Sequence, residues 1–129
     1  MHLLLVEDNT INMEIARLIL EQLGFIVETA ENGRIAVEKV STSEPGTYDL
    51  VLMDIQMPEM DGYAATRAIR SIAENEIADI PIIAMTANAF AEDVHEAENA
   101  GMDGHIAKPI DISVMKQTIT DVLIRHQKN

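Results

Sequence analysis

Cysteine is absent from the 129 residues, so neither a disulfide nor a thiolate-held metal can contribute to this chain. Tryptophan is absent too, and two tyrosines and two phenylalanines leave little surface on which nucleobases could stack. Basic residues are scarce: nine Lys and Arg stand against 22 Asp and Glu, for a net charge of −13. That balance argues against binding nucleic acid phosphates, which needs a basic patch. The acids are scattered rather than gathered in a tail, so they read as solubilising charge. No apolar run approaches membrane-spanning length, and no charged-then-apolar leader precedes the first predicted strand. The histidines, His2, His95, His105 and His126, include no pair with convincing metal spacing on one face. Together these absences predict a cytoplasmic domain that contacts neither membrane nor nucleic acid.

What is present is a regular alternation. The chain is 47% apolar, which predicts one compact domain over residues 1–126 and a short frayed tail at 127–129. Apolar runs recur at residues 3–6, 25–30, 50–53, 80–84 and 105–107. Helical spacing fills the gaps. Ile11, Ile15, Leu18 and Ile19 share a face after a candidate N-cap at Asn9, with Gly24 at the stop. The second helix runs from Asn32 through Ala36, Val37 and Val40, and the third starts near Asp61 with Ala65, Ala68, Ile69 and Ile72. A fourth, weaker one carries Phe90, Val94 and Ala97, and a fifth starts at Asp111 and includes Met115, Ile119 and Val122. Residues 41–47 and 73–79 read as surface connections. Five β-α units predict an α/β, doubly wound parallel sheet with helices on both faces.

In such a sheet, ligands sit at the carboxyl ends of the strands where strand order reverses. Strand 1 is followed by Glu7 and Asp8, strand 3 by Asp54, and strand 5 by Lys108 and Pro109; strand 4 ends near Thr86. Strand 2 alternates more and is followed by nothing with evident chemistry, which suits a sheet edge and the order 2-1-3-4-5. The reversal then brings Glu7, Asp8 and Asp54 together. Three carboxylates in one crevice repel, and hard oxygen donors favour Mg2+, with Mn2+ as the alternative. A Lys ammonium and a Thr hydroxyl opposite such a cation can hold phosphoryl oxygens, and an Asp carboxylate can accept the phosphoryl group.

Four segments carry a family resemblance: Leu-Leu-Leu-Val-Glu-Asp-Asn (3–9), Met-Asp-Ile-Gln-Met-Pro-Glu-Met-Asp-Gly (53–62), Ala-Met-Thr-Ala (84–87) and Ala-Gly-Met-Asp-Gly-His-Ile-Ala-Lys-Pro (100–109). With these, the chain resembles a response-regulator receiver domain of two-component and phosphorelay signalling over essentially its whole length. It is most similar to receivers of hybrid histidine kinases. The resemblance implies the flavodoxin-like (βα)5 fold and a role for each matching residue. Asp54 would be the phosphoacceptor. Asp8, Asp54 and the Gln56 backbone carbonyl would hold Mg2+, and Glu7 would hold a metal-bound water. Thr86 and Lys108 would contact phosphoryl oxygens, Ala87 would leave room for the group, and Lys108–Pro109 would be a cis peptide. Gln56 and Asn88 would tune phosphoryl lifetime. His105 stands where the family often has an inward-swinging Tyr or Phe; an ordinary surface histidine on strand 5 is the competing reading.

The implied partners are a histidine kinase or histidine phosphotransfer domain, and an output partner on the face formed by the fourth and fifth helices and strand 5. The chain would be no enzyme beyond its own phosphorylation and dephosphorylation. Three rivals remain to be weighed. An aspartyl-phosphate-type phosphatase usually has a second Asp two residues after the first, where this chain has Gln56. A flavodoxin-like cofactor site needs a hydroxyl- and glycine-rich loop after strand 1, where Glu7-Asp8-Asn9 would repel phosphate. A receiver-like protein-binding module would not be phosphorylated at all, and the acid–Thr–Lys set argues against it.

Overall fold

The computed structural model describes residues 1–57, 60–87 and 91–127, with only the backbone at 91–93. Five strands, β1 (His2–Val6), β2 (Ile26–Ala30), β3 (Leu50–Asp54), β4 (Ile82–Thr86) and β5 (Gly104–Ala107), alternate with helices. The helices are α1 (Thr10–Gln22), α2 (Gly33–Ser41), α3 (Gly62–Arg70), the single turn α4 (Asn75–Ala78), α5 (Ala91–Ala100) and α6 (Ile112–Gln127). All strand pairs are parallel and the order is β2-β1-β3-β4-β5. This is the flavodoxin-like arrangement that the strand-end chemistry predicts.

The continuous apolar runs explain the centre of the sheet. Every residue of β3 and β4 is buried, as are the last four of β1, because helices cover both faces. Alternate side chains go to opposite layers. Leu4, Val6, Val51, Met53, Ile82 and Ala84 pack against α2, α3 and α5, and Leu3, Leu5, Leu50, Leu52, Ile83 and Met85 pack against α1 and α6. At about 1.5–3 kcal/mol for each large apolar side chain fully buried, these two layers dominate the stabilisation. Helix starts follow the expected chemistry. Asn9, Asn32 and Asp61 each cap a helix, accepting from the backbone N–H of Asn12, Ile35 and Ala64 at 2.8–2.9 Å.

Three expectations need correction. Strand 4 lies two residues further on than the apolar run at 80–84 suggests, because Pro81 precedes it and Thr86 completes it. The connection at 73–79 contains α4, whose Ile77 and Ala78 are buried. In α1 the apolar face read from Ile11, Ile15 and Leu18 points away from the sheet: these side chains are 71%, 51% and 53% exposed, while Ala16 and Leu20 are buried. The stripe that packs on the sheet is Met13, Ala16, Ile19, Leu20 and Leu23, so of the face read from the sequence only Ile19 turns inward. Asn88 and Phe90, assigned above to lifetime tuning and to the fourth helix, lie outside the described residues.

Candidate functional site

Register fixes the depth of each candidate. Val6 pairs with Met53, so Glu7 stands level with Asp54, the last residue of β3. Thr86 ends β4 opposite Ala107, one residue before Lys108. The backbone continues this ordering past the strands: the Glu7 N–H donates to the Ala30 carbonyl at 3.1 Å, Ile55 N–H to Met85 at 3.1 Å, and Lys108 N–H to Thr86 at 2.8 Å. Glu7, Asp54, Thr86 and Lys108, far apart in sequence, are therefore set at one mouth by strand register.

There, Glu7, Asp54 and Thr86 are buried while Asp8 is exposed. One carboxylate oxygen from each of Glu7, Asp8 and Asp54 lies within 4.8 Å of the others. The Lys108 ammonium donates to Glu7 Oε2 at 3.0 Å and to Asp54 Oδ1 at 3.1 Å. Glu7 Oε1 also accepts from the Asn9 N–H at 3.3 Å. Burial pushes the Glu7 carboxyl pKa up; the Lys108 hydrogen bond offsets this in part, and the Asp54 charge pushes it up again. For Lys108, burial alone would lower the ammonium pKa, but the hydrogen bond to Glu7 and the charge of Asp54 outweigh it and the net shift is upward. The pocket thus holds its ammonium protonated and stays short of positive charge.

That deficit, together with three hard oxygen donors of graded exposure, fits a small divalent cation. The Gln56 side chain is exposed just beyond β3, Ala87 follows Thr86 at the rim, and the Lys108–Pro109 peptide is cis. His105 lies on β5 and is exposed, beside a cleft of about 220 Å³ lined by Val94, Glu98, Met102 and Arg125. A roomier cleft of about 640 Å³ lies between Tyr48, Asp49, Arg70, Asp79 and His126, at the opposite end of the strands. Its size does not mark it as the reactive site, since it gathers none of the strand-end groups.

One participant escaped the sequence reading. Gly33, the first residue of α2, packs directly on the backbone of Met60 in the loop that follows Asp54. Only the Asn-Gly pair at a helix start was visible beforehand, and it reads equally well as an ordinary cap.

A doubly wound sheet with acids and a lysine gathered at its reversal point defines the receiver class of α/β signalling domains. The chain belongs to the response regulator receiver domain family, which matches residues 3–120. It is 46% identical over 122 residues to a probable histidine kinase 2 of Oryza sativa subsp. indica, covering 86% of this chain and 12% of that protein. It is 41% identical over 120 residues to the hybrid signal transduction histidine kinase B of Dictyostelium discoideum, covering 86% and 6%. The chain therefore spans only a small part of these relatives. Among solved structures, the receiver domain of a Pseudomonas aeruginosa sensor histidine kinase superposes with a TM-score of 0.83 at 37% identity, covering 95% of this chain and 96% of that one. That structure has a magnesium ion coordinated in its active site cleft.

Proposed function

We propose that this domain accepts a phosphoryl group from a partner's phosphohistidine onto Asp54, in a Mg2+-dependent step, and relays the change to its surface. The observation that carries this is the Lys108 ammonium placed 3.1 Å from buried Asp54, with Glu7 and Asp8 beside it and Thr86 at the next strand end. An Asp54 carboxylate oxygen attacks phosphorus, a P–O bond forms, and the P–N bond breaks with its electron pair leaving on the imidazole. Lys108 and Thr86 hold the phosphoryl oxygens as charge develops. Mg2+ held by Asp8, Asp54 and the Gln56 carbonyl, with Glu7 on a bound water, would supply the remaining positive charge. Water later attacks phosphorus, breaks the P–O bond and returns the Asp54 carboxylate with inorganic phosphate. The domain turns over no other substrate on this reading.

The donor must reach Asp54 across the mouth, and α1 rises from that mouth directly after Asp8 and Asn9. The exposed Ile11, Ile15 and Leu18 make an apolar stripe suited to a helix of the phosphohistidine donor. Output leaves through β4, α5, β5 and α6, biased by Thr86 turning towards the new charge, with His105 on that face. A cytoplasmic setting is part of this proposal.

Incubation with acetyl phosphate, with and without Mg2+, followed by intact mass, tests the reading. A Mg2+-dependent adduct is expected on the wild type and none on Asp54→Asn. Steady turnover of free phosphomonoesters would point to the phosphatase, and a folded protein that never gains an adduct would point to a binding-only module.

A further inference from the structure

We infer that Gly33, outside the reactive cluster, is a positioning residue for the loop that presents the Gln56 carbonyl; this rests on the metal-dependent reading above. Gly33 does not have a positive φ, so its backbone conformation would admit any residue. What excludes a side chain is proximity. A Cβ on Gly33 would lie 2.6 Å from the Met60 carbonyl oxygen and 3.2 Å from both Met60 Cγ and Ala65 Cβ. Backbone is the obstacle, and backbone cannot rotate aside as a side-chain tip can.

The far side of the same loop is equally tight. A Cβ on Gly62 would lie 2.5 Å from the Asp54 carbonyl oxygen, and the Gly62 N–H donates to Ile55 O at 2.9 Å. Met57 is buried in the core, which fixes the loop near Gln56. Met60 and Gly62 are thus held between α2 and the end of β3.

The segment leading into Gly33 also touches the acid side of the cluster. Ala30 O accepts the Glu7 N–H, and Asn32 caps α2 through Ile35 N–H. Four residues, 30–33, therefore span from the Glu7 backbone to the Met60 carbonyl. They join the Glu7 side of the cluster to the Met60 side through one short segment.

The consequence is sensitivity to a small displacement. Cβ contacts below 3.0 Å do not occur, so Gly33→Ala must move α2 or the Met60 peptide by at least 0.4 Å. Mg2+ demands near-ideal octahedral geometry at about 2.0–2.1 Å, with ligand distances held to about 0.2 Å. Carried through Gly62, whose N–H is bonded to the Ile55 carbonyl, a shift of that size would displace the neighbouring Gln56 and lengthen or lose its carbonyl as a ligand.

The test compares Gly33→Ala with Val40→Ala, which opens a cavity in the last turn of the same helix, away from the loop. Mg2+ binding is measured by titration calorimetry, Mn2+ binding by electron paramagnetic resonance, and folding by thermal melts. Gly33→Ala should weaken both metals about tenfold, as loss of a supporting contact does, while Val40→Ala, with a similar loss of stability, keeps wild-type affinity. Acetyl phosphate labelling of Gly33→Ala should need more Mg2+ for half-maximal rate and recover its maximal rate at saturation. Equal metal affinities in the two variants, or an unchanged maximal-rate Mg2+ requirement in Gly33→Ala, would overturn the assignment. Should Gly33→Ala fail to fold, the wild type decides by NMR: Mg2+ should shift the Gly33 and Ile35 amides together with those of Ile55–Met57, and silence at Gly33 refutes the coupling. A wild type that binds no Mg2+ and takes no phosphoryl group would instead remove the reading on which this rests.

Discussion

At the scale of single residues, the site is a contest between burial and charge. Glu7 is buried beside Asp54, and its raised pKa means the folded chain holds that proton more tightly than the unfolded chain does. Stability of the metal-free protein should therefore fall as pH rises from the ordinary value of 4.5 through the raised one, and stay reduced at neutral pH. Glu7→Gln should raise the melting temperature of the metal-free protein at pH 7 and flatten this slope, while weakening Mg2+ binding; a lowered melting temperature would show that the Lys108 contact outweighs the burial. Lys108 has the same sign of pH dependence, but there the charged form is the one the fold holds. Its raised pKa gives a stabilisation fully present below the ordinary value of 10.5 and lost only as pH climbs through the raised value. Lys108→Met leaves two buried acids without their ammonium, so it should lower the melting temperature without metal, and added Mg2+ should narrow the gap to the wild type. A gap unchanged by Mg2+ would mean that the ammonium and the metal do not share those charges. These positions were legible in sequence as residue types at strand ends. The Lys108–Glu7 contact was not, because it joins positions 101 residues apart through side-chain reach rather than register.

At the scale of elements, the strands were read well because a buried parallel strand leaves an unbroken apolar run. The face of α1 was read wrongly for a definite reason. Ile11, Ile15 and Leu18 satisfy helical spacing as well as Ala16 and Leu20 do, and periodicity cannot tell which stripe meets the sheet. The outward stripe makes a prediction at this scale. Ile15→Asp should leave labelling by acetyl phosphate intact and slow transfer from a phosphohistidine-bearing protein by an order of magnitude or more, since central apolar contacts carry about 2 kcal/mol or more of such interfaces. Equal slowing with both donors would place the damage in the fold instead. At the opposite pole, Arg70 of α3 ties α4 to the connections that follow α4 and α5. Its guanidinium donates to Gly101 O, Ala78 O and Ile80 O, and to the Asp103 carboxylate, at 2.6–2.9 Å. Asp103 in turn accepts from Ile82 N–H. Arg70→Met should cost about 2–3 kcal/mol, measured by urea unfolding, because it strands carbonyls at the ends of α4 and α5. The sequence offered Gly101-Met102-Asp103-Gly104 only as part of a resemblance; the arginine that gives those residues their purpose lies 31 positions away from Gly101.

At the scale of the whole molecule, the fold keeps two poles with different duties. One end of the strands is closed by Arg70, Asp103 and the turn at α4, and the other opens on the acids, Thr86 and Lys108. No helix among the described residues is long and apolar enough to cross a membrane. The order β2-β1-β3-β4-β5 was legible because an alternating, chemically quiet strand 2 belongs at an edge. The clamp of Gly33 on Met60 was not, because close approach between two backbones has no signature in one sequence. The central claim is that this architecture makes Asp54 the group that carries phosphorus. Reductive trapping tests it most directly: the protein is labelled with acetyl phosphate and Mg2+, treated with borohydride, which converts an aspartyl phosphate to homoserine, and mapped by peptide mass spectrometry. The account predicts homoserine at position 54, dependent on Mg2+. Homoserine at another aspartate, or phosphate retained on a serine, threonine or histidine with Asp54 unmodified, would contradict it.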